Sequence, residues 1–487
     1  MPEPDSADFS LFDELHEWNL LTLLANTGNT VAKPTANSKE IILNSEELFF
    51  SRTDEKGIIL SGNDIFVKVS GYRREELIQN PHNIVRHPDM PKAVFKLFWQ
   101  TIQAQQPICA YVKNMAADGS YYWVFATAFP LPGNGYLSVR IKPSAPFFSL
   151  VKELYPKIIE KEKREGIEAG LLFLKEALKQ KGLDSYEQFM GRAIVDEVRA
   201  RAGMARQRSG QRGGGESQAM ALLREMSQKC TMNSDKNALI FSKLDDFARV
   251  NSELTQKSAF ILKSFKNLDL LAINMSTAAK RLGSMGATLV AVADGITKSA
   301  GEFKGDLNRF NASAKKVAMA IEAAAFRIAA SQLQVDMIDF YIQETLQKWS
   351  NSAPNPEELQ DMKTNLEYLV GLSSDLTSRL QAEMGELKQV LTQIGADSEQ
   401  LRGTINGVEI IRKTGVIEAA QVNNEGGEFT TYFRVMNQLV GETSRQLATF
   451  SDAVRISVQN IEEIIPALNK ISGAFAELRR SNEQLAI

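Results

Sequence analysis

The stretch Pro81–Trp99, PHNIVRHPDMPKAVFKLFW, joins a basic, histidine-containing turn to an amphipathic helical segment. Phe95 and Trp99 are four residues apart, so they share one face of the predicted helix. Arg86 can donate two hydrogen bonds to a phosphate, and His87 can donate a hydrogen bond or stack on a ring. Cationic donors beside an aromatic face predict a site for a small ligand.

Short apolar runs separated by turn residues lie on both sides of this stretch. Before it, LFFSRT and GIIL are joined by DEKG, a hairpin signal because Gly57 can adopt a positive φ. After it come three strand-like runs, ICAYVKNM, SYYWVFATAFPL and YLSVRIKP, separated by Asp118-Gly119 and by Pro132–Gly135. Two strands, then helices, then three strands predict an α+β domain over residues 47–145, an antiparallel sheet with flanking helices.

The same segment resembles a known sensor. With GNDIFVKVSGYRREEL at 62–77 and YVKNMAADGSYYWVFATAFPL at 111–131, the run N-x-V-R-H-P-D-M-P is similar to the PAS domain of bacterial aerotaxis receptors. That resemblance implies a PAS fold and a non-covalently held flavin adenine dinucleotide (FAD). The residues that it places around the flavin are Asn63, Arg86, His87, Asp89 and Trp99, with Arg140 a weaker candidate.

Other interpretations of these residues stay open at the level of sequence. His82 or His87 could ligate a haem iron, since one histidine suffices as an axial ligand, and a domain without cofactor is a third case. Arg86 and Asp89 could form a structural pair, and the helix aromatics could belong to the core. The turn HNIVRH contains no cysteine, which argues against photochemistry through a cysteine adduct.

The remaining chain is predicted to be helical. The glycine- and serine-rich RQRSGQRGGGES marks a flexible joint, and the prolines of NSAPNPEE separate two long helical stretches. The predicted segments are an N-terminal cap or dimer arm at 1–46, a helical connector at 146–205, a linker at 206–216, and two helical hairpins at 217–350 and 357–487.

Each hairpin contains a stretch that resembles the cytoplasmic tip of methyl-accepting chemoreceptors. The first, LLAINMSTAAKRLGSMGATLVAVADGI, keeps Asn274, Arg281, Gly283 and Gly286 of that pattern; the second, VEIIRKTGVIEAAQVNNEGGEFTTYFRVMNQLV, keeps Glu418, Gly426 and Phe429. The resemblance implies a chemotaxis histidine kinase and its coupling protein as partners. The sequence departs from the pattern at Ala278, Leu289, Gln421 and Asn423, so a ligand-gated adaptor that no longer engages the kinase is the alternative.

The two tips are nearly symmetric along the chain. Arms of similar length and a short connection between the hairpins predict that both start from the same end and point the same way. We therefore expect a four-helix bundle formed within one chain, in a protein that is a monomer or dimerises through its PAS domain.

The charge composition and the motifs that the sequence lacks exclude several classes of function. With 56 basic and 59 acidic residues, the chain does not favour nucleic-acid binding through phosphate contacts. The sequence has neither an apolar run of about 18 residues nor a signal peptide, so we expect no membrane span and a cytoplasmic location. Nucleotide loops, nucleophile elbows and metal-type clusters are not evident, so an enzyme is not expected. The sequence predicts a soluble redox or oxygen sensor-transducer for energy taxis.

Overall fold

The computed structural model describes residues 33–133, 135–202, 218–421 and 427–485. The strands are Leu48–Thr53 (β1), Ile59–Gly62 (β2), Ile108–Met115 (β3), Tyr121–Pro130 (β4) and Tyr136–Ile141 (β5). The helices are Asp64–Ser70 (α1), Arg74–Leu77 (α2), Lys92–Gln103 (α3), Phe147–Glu165 (α4), Ile167–Gln180 (α5), Tyr186–Ala202 (α6), Gln218–Ser242 (α7), Leu244–Arg281 (α8), Ala287–Asn351 (α9), Pro356–Gln421 (α10) and Gly427–Gln484 (α11). Two short 3₁₀ helices, His82–Val85 and Gly283–Gly286, complete the elements.

The chain divides into two compact units. The first comprises Met1–Ser227, Leu333–Leu369 and Asn482–Ile487, and the second comprises Gln228–Gln332 and Val370–Ser481. The first unit therefore contains the sheet and also short parts of the long helices α9 and α10.

The sheet in the first unit has the order β2-β1-β5-β4-β3, and every neighbouring pair is antiparallel. Gly57 turns the chain between β1 and β2 with a φ of 76°, a conformation that costs a glycine little. Helices α1 to α3 follow β2 and precede β3. The α+β fold with an antiparallel sheet and flanking helices is thus confirmed.

Helices α4 and α6 cover the edge strand β3. The hydroxyl of Tyr155 in α4 donates to the Tyr111 carbonyl at 2.8 Å, and that of Tyr186 in α6 donates to the Cys109 carbonyl at 3.0 Å. An uncovered edge would offer these groups to another chain. The sequence predicted only a helical connector here, because helical periodicity does not reveal what a helix packs against.

Helices α8 to α11 contact one another within the second unit. Phe310 of α9 packs against Phe450 of α11 at 4.6 Å between ring centroids. The hydroxyls of Ser398 and Ser451 join α10 to α11 at 2.9 Å, and Asn460 of α11 donates to Asp246 of α8 at 3.3 Å. Four helices of one chain therefore pack together, while the oligomeric state stays a prediction.

The first hairpin turns through the 3₁₀ helix Gly283–Gly286. A Cβ atom at Gly286 would lie 2.0 Å from the carbonyl oxygen of Ala279, so the turn closes only around a glycine. The predicted linker at 206–216 and the centre of the second tip fall outside the described residues. In the part of the chain that is described, no helix is both long and apolar enough to cross a bilayer.

Candidate cofactor site

One face of the sheet, which we call the inner face, is turned toward α1 and the first 3₁₀ helix. Phe49 of β1 stacks on Phe66 of α1, with 6.1 Å between ring centroids. Strand register places further small residues on this face, because directly paired residues point the same way. They are Ser51, Ala110, Ala126, Ala128 and Ser138. The inner face is therefore lined by small, buried side chains beside Phe49.

His82 and Arg140 meet at the inner face. An Arg140 guanidinium nitrogen donates to His82 Nε2 at 2.8 Å and the other donates to Ser51 Oγ at 2.9 Å. A guanidinium can only donate, so Nε2 accepts and the proton of the neutral ring lies on Nδ1. Burial and the charges of Arg140 and Arg86 hold the pKa of His82 well below its ordinary value. The imidazole is therefore neutral at physiological pH.

Among the described residues, the buried Arg140 and the partly buried Arg86 have no carboxylate counter-ion. Arg140 is 6% exposed, and the buried Nε of Arg86 has no hydrogen-bond partner among the described residues. The Arg86 guanidinium lies 3.8 Å above the Phe95 ring. Burial lowers the pKa of each arginine to about 10, and neither forms an ion pair with any carboxylate that the structure describes. Buried charges are normally paired, so this site favours an anion.

The other residues predicted to contact a flavin lie in different surroundings. His87 Nδ1 accepts from the backbone N–H of Asp89 at 3.0 Å, and burial lowers the pKa of His87. Its Nε2 therefore carries the proton of the neutral ring. Asp89 is exposed and accepts from Lys113 Nζ at 2.7 Å. The Trp99 ring packs edge-on against Tyr136 at 5.7 Å.

Asn63 is held by three hydrogen bonds at the start of α1. Its Oδ1 accepts from the Phe50 N–H at 3.1 Å, and its Nδ2 donates to the Leu48 carbonyl at 3.1 Å. The same Nδ2 also donates to Glu344 at 3.0 Å. Of the five predicted residues, Arg86 lies close enough to His82 for its charge to lower the pKa of that ring. The flavin contacts of all five remain predictions.

Sequence reasoning did not single out Ser51 and named Arg140 only as a weaker candidate. Ser51 lies two residues after Phe49 on β1. Because side chains two residues apart point to the same face of a strand, this spacing is the signal that could have placed both on one face. His82 was considered only as a haem ligand. In the structure it links Ser51 to the buried arginine.

The predicted signalling residues also differ in their surroundings. Asn274, Arg281 and Gly283 are exposed, whereas Gly286 is buried in the turn. Glu418 is half-buried, and Phe429 is 2% exposed and belongs to the core of its helices. Gly426 lies outside the described residues. The tip surface can therefore be formed by Asn274 and Arg281, and its binding role stays a prediction.

Comparison with known proteins identifies the sheet domain. A family model described as the PAS fold matches residues 59–138. This segment is a PAS domain. The chain is similar to the aerotaxis receptor of Escherichia coli (strain K12), with 36% identity over 146 residues. That match covers 29% of this chain and 29% of the receptor.

Two solved structures resemble the PAS domain at low identity. The PAS domain of a protein from Colwellia psychrerythraea is 20% identical, covers 20% of this chain and 85% of its own, and has a TM-score of 0.19. The LOV domain of the blue-light-activated histidine kinase EL346 from Erythrobacter litoralis is 19% identical, covers 19% of this chain and 92% of its own, and has a TM-score of 0.17.

Proposed function

We propose that the chain is a redox sensor-transducer whose PAS domain binds FAD and passes the state of the flavin to the helical region. The observation that carries this proposal is the pair Arg86 and Arg140, one partly buried and one fully buried cation without a carboxylate partner among the described residues. FAD offers what they lack, a diphosphate. The resemblance of the PAS domain to aerotaxis receptors supports the same cofactor.

The residues around the arginines suit the diphosphate of FAD. Arg86 and Arg140 would hold it through charge-assisted hydrogen bonds. Phe49 and Phe66, whose ring centroids each lie 5.8 Å from the Arg140 guanidinium, would pack against the part of the cofactor next to the diphosphate. Bound FAD would supply a redox centre whose ring changes charge and protonation on reduction. The protein would keep that ring in a fixed orientation and away from water.

A haem fits the two histidines less well. Nε2 of His82 is already engaged by a charged donor at 2.8 Å, and Nε2 of His87 carries the proton of its ring. Either histidine would need to change partners or tautomer before it could ligate iron. We therefore propose FAD, and a Soret band in the purified protein would point instead to the haem-based oxygen sensor.

The output is assigned to the helical region. The curated relative is named a receptor, and the match includes less than a third of its length, so the partners are part of this proposal. We propose that the exposed surface around Asn274 and Arg281 contacts the chemotaxis histidine kinase or its coupling protein in the cytoplasm. Co-purification with the coupling protein would support this assignment, and its failure would favour the adaptor.

A comparison of FAD with riboflavin tests the cofactor assignment. Riboflavin has the same ring but no phosphate, so the cofactor-free protein should bind it at least about tenfold more weakly than FAD. In Arg140→Met the preference for FAD should shrink, because one phosphate donor is gone. The exposed Arg402→Met serves as a control. Equal affinity for FAD and riboflavin in the wild-type protein would refute the arginine–diphosphate contact.

A further inference from the structure

The two faces of strand β1 contact different parts of the molecule. Phe49 and Ser51 belong to the inner face, where Ser51 reaches His82 at 3.0 Å. Phe50 and Arg52 point to the opposite face, because side chains alternate along a strand. If a ligand at the inner face displaces β1, Phe50 and Arg52 move with the strand, and their contacts on the opposite face change.

That opposite face is covered by the long helices. Phe50, with no exposed surface, packs edge-on against Tyr341 of α9 at 5.1 Å between ring centroids. The guanidinium of Arg52 lies 4.4 Å above the ring of Tyr368 in α10. Tyr341 is fixed in turn, because its hydroxyl accepts from Asn365 of α10 at 3.2 Å. All of these residues belong to the first compact unit.

Glu344, one helical turn beyond Tyr341, connects α9 to the PAS domain by hydrogen bonds. One carboxylate oxygen accepts from Asn63 Nδ2 at 3.0 Å, and the other accepts from the backbone N–H of Ile65 at 3.0 Å. Asn63 also bonds to the backbone of β1 on both sides of Phe49. A movement of β1 therefore changes the position of the donors that hold Glu344.

We propose that the contact of Glu344 and Tyr341 with Asn63 and Phe50 is the joint through which the PAS domain signals to α9. The proposal rests on the proposed sensor function. Helix α9 is uninterrupted from Ala287 to Asn351. The helix that carries Glu344 near its C-terminal end therefore begins at the first tip. Asn63 and Glu344 are 281 residues apart in the sequence, so they come into contact through the tertiary fold and not through local structure.

Hydrogen exchange in the full chain tests the joint. Exchange is followed in peptides covering residues 338–351, once in the oxidised protein and once after reduction with dithionite. We expect the two states of the wild-type protein to differ about fivefold or more in exchange rate there, the size of a typical coupling. Glu344→Ala and the conservative Glu344→Gln should reduce the difference to less than about twofold, while the flavin spectrum is retained.

The control is Glu302→Ala, an exposed glutamate on the same helix, which should keep the full difference. Persistence of the redox difference in both Glu344 variants would overturn the joint. A flavin-containing wild-type protein without any difference at 338–351 would overturn it as well.

A chain without flavin would refute the proposed function separately, and the joint would still be tested. In that case Arg140→Leu disturbs the inner face directly. The joint predicts altered exchange at 338–351 that disappears in the Glu344→Ala background. An Arg140→Leu effect that is missing, or that survives in that background, would overturn the joint.

Discussion

The protonation of Glu344 should make the stability of the first unit depend on pH. Burial is the largest cause that raises the pKa of this carboxyl from 4.5 to about 7, and repulsion from Asp64 is the second. The hydrogen bonds from Asn63 and the Ile65 N–H and the charge of Arg74 act in the opposite direction. A change of that size corresponds to roughly 3 kcal/mol of unfolding free energy. The perturbation that isolates it is Glu344→Gln, which cannot titrate.

The sign follows from where the proton binds more tightly. The folded chain holds the Glu344 proton better than the unfolded chain, so the stabilising contribution is fully present below pH 4.5 and is lost as the pH rises through about 7. The amide of the variant faces the same two N–H donors, which lowers its stability by an amount that does not depend on pH. The informative quantity is therefore the change with pH in the difference between the two proteins.

Urea unfolding followed by tryptophan fluorescence measures that difference, since Trp99 and Trp123 report on the PAS domain. Between pH 4.5 and 8 the unfolding free energy of the wild-type protein should fall by about 3 kcal/mol relative to the variant. A difference that is constant over this range would show that Glu344 does not titrate in a buried setting. A difference that changes in the opposite direction would show that the two N–H donors dominate over burial.

Three further predictions concern other parts of the chain. Arg140→Met should stabilise the cofactor-free protein by about 1–4 kcal/mol in urea unfolding, because it removes a buried charge that has no carboxylate counter-ion among the described residues; destabilisation would show that the cation is already compensated. Gly286→Ala should lower the thermal stability of the second unit by about 2 kcal/mol or more through its clash with a backbone carbonyl, whereas Gly301→Ala, at an open helical position, should be neutral or stabilising by up to about 1 kcal/mol. The thiols of Cys109 and Cys230 are buried and should react with a thiol reagent only on unfolding, so rapid labelling of the native protein would contradict their packing.

Local sequence signals were sufficient to predict the strands of the PAS domain. The DEKG turn with Gly57 and the glycine-containing breaks after β3 and β4 predicted where the strands end, because they specify tight reversals between strands. The pairing of β1 with β5 has no such local signal. Arg86 was named as a candidate flavin contact because it lies in the distinctive run N-x-V-R-H-P-D-M-P. Ser51 was not recognised, because a serine in a strand acquires meaning only when register places it beside His82 and Arg140.

Contacts distant in sequence could not be predicted. Nothing near Glu344 indicates a PAS domain, and nothing near Asn63 indicates a helix that begins more than two hundred residues later. The packing of α4 and α6 on β3 was missed for the same reason. The apolar face of each of these helices predicts that the face is buried, but it does not predict which surface covers it.

The visible absorption spectrum of the full-length protein tests the central claim most directly. The account predicts an oxidised-flavin spectrum at about one flavin per chain, bleached by dithionite and lost in the double variant Arg86→Met, Arg140→Met. A haem Soret band, or a bare baseline that persists after incubation of the folded protein with FAD, would contradict it.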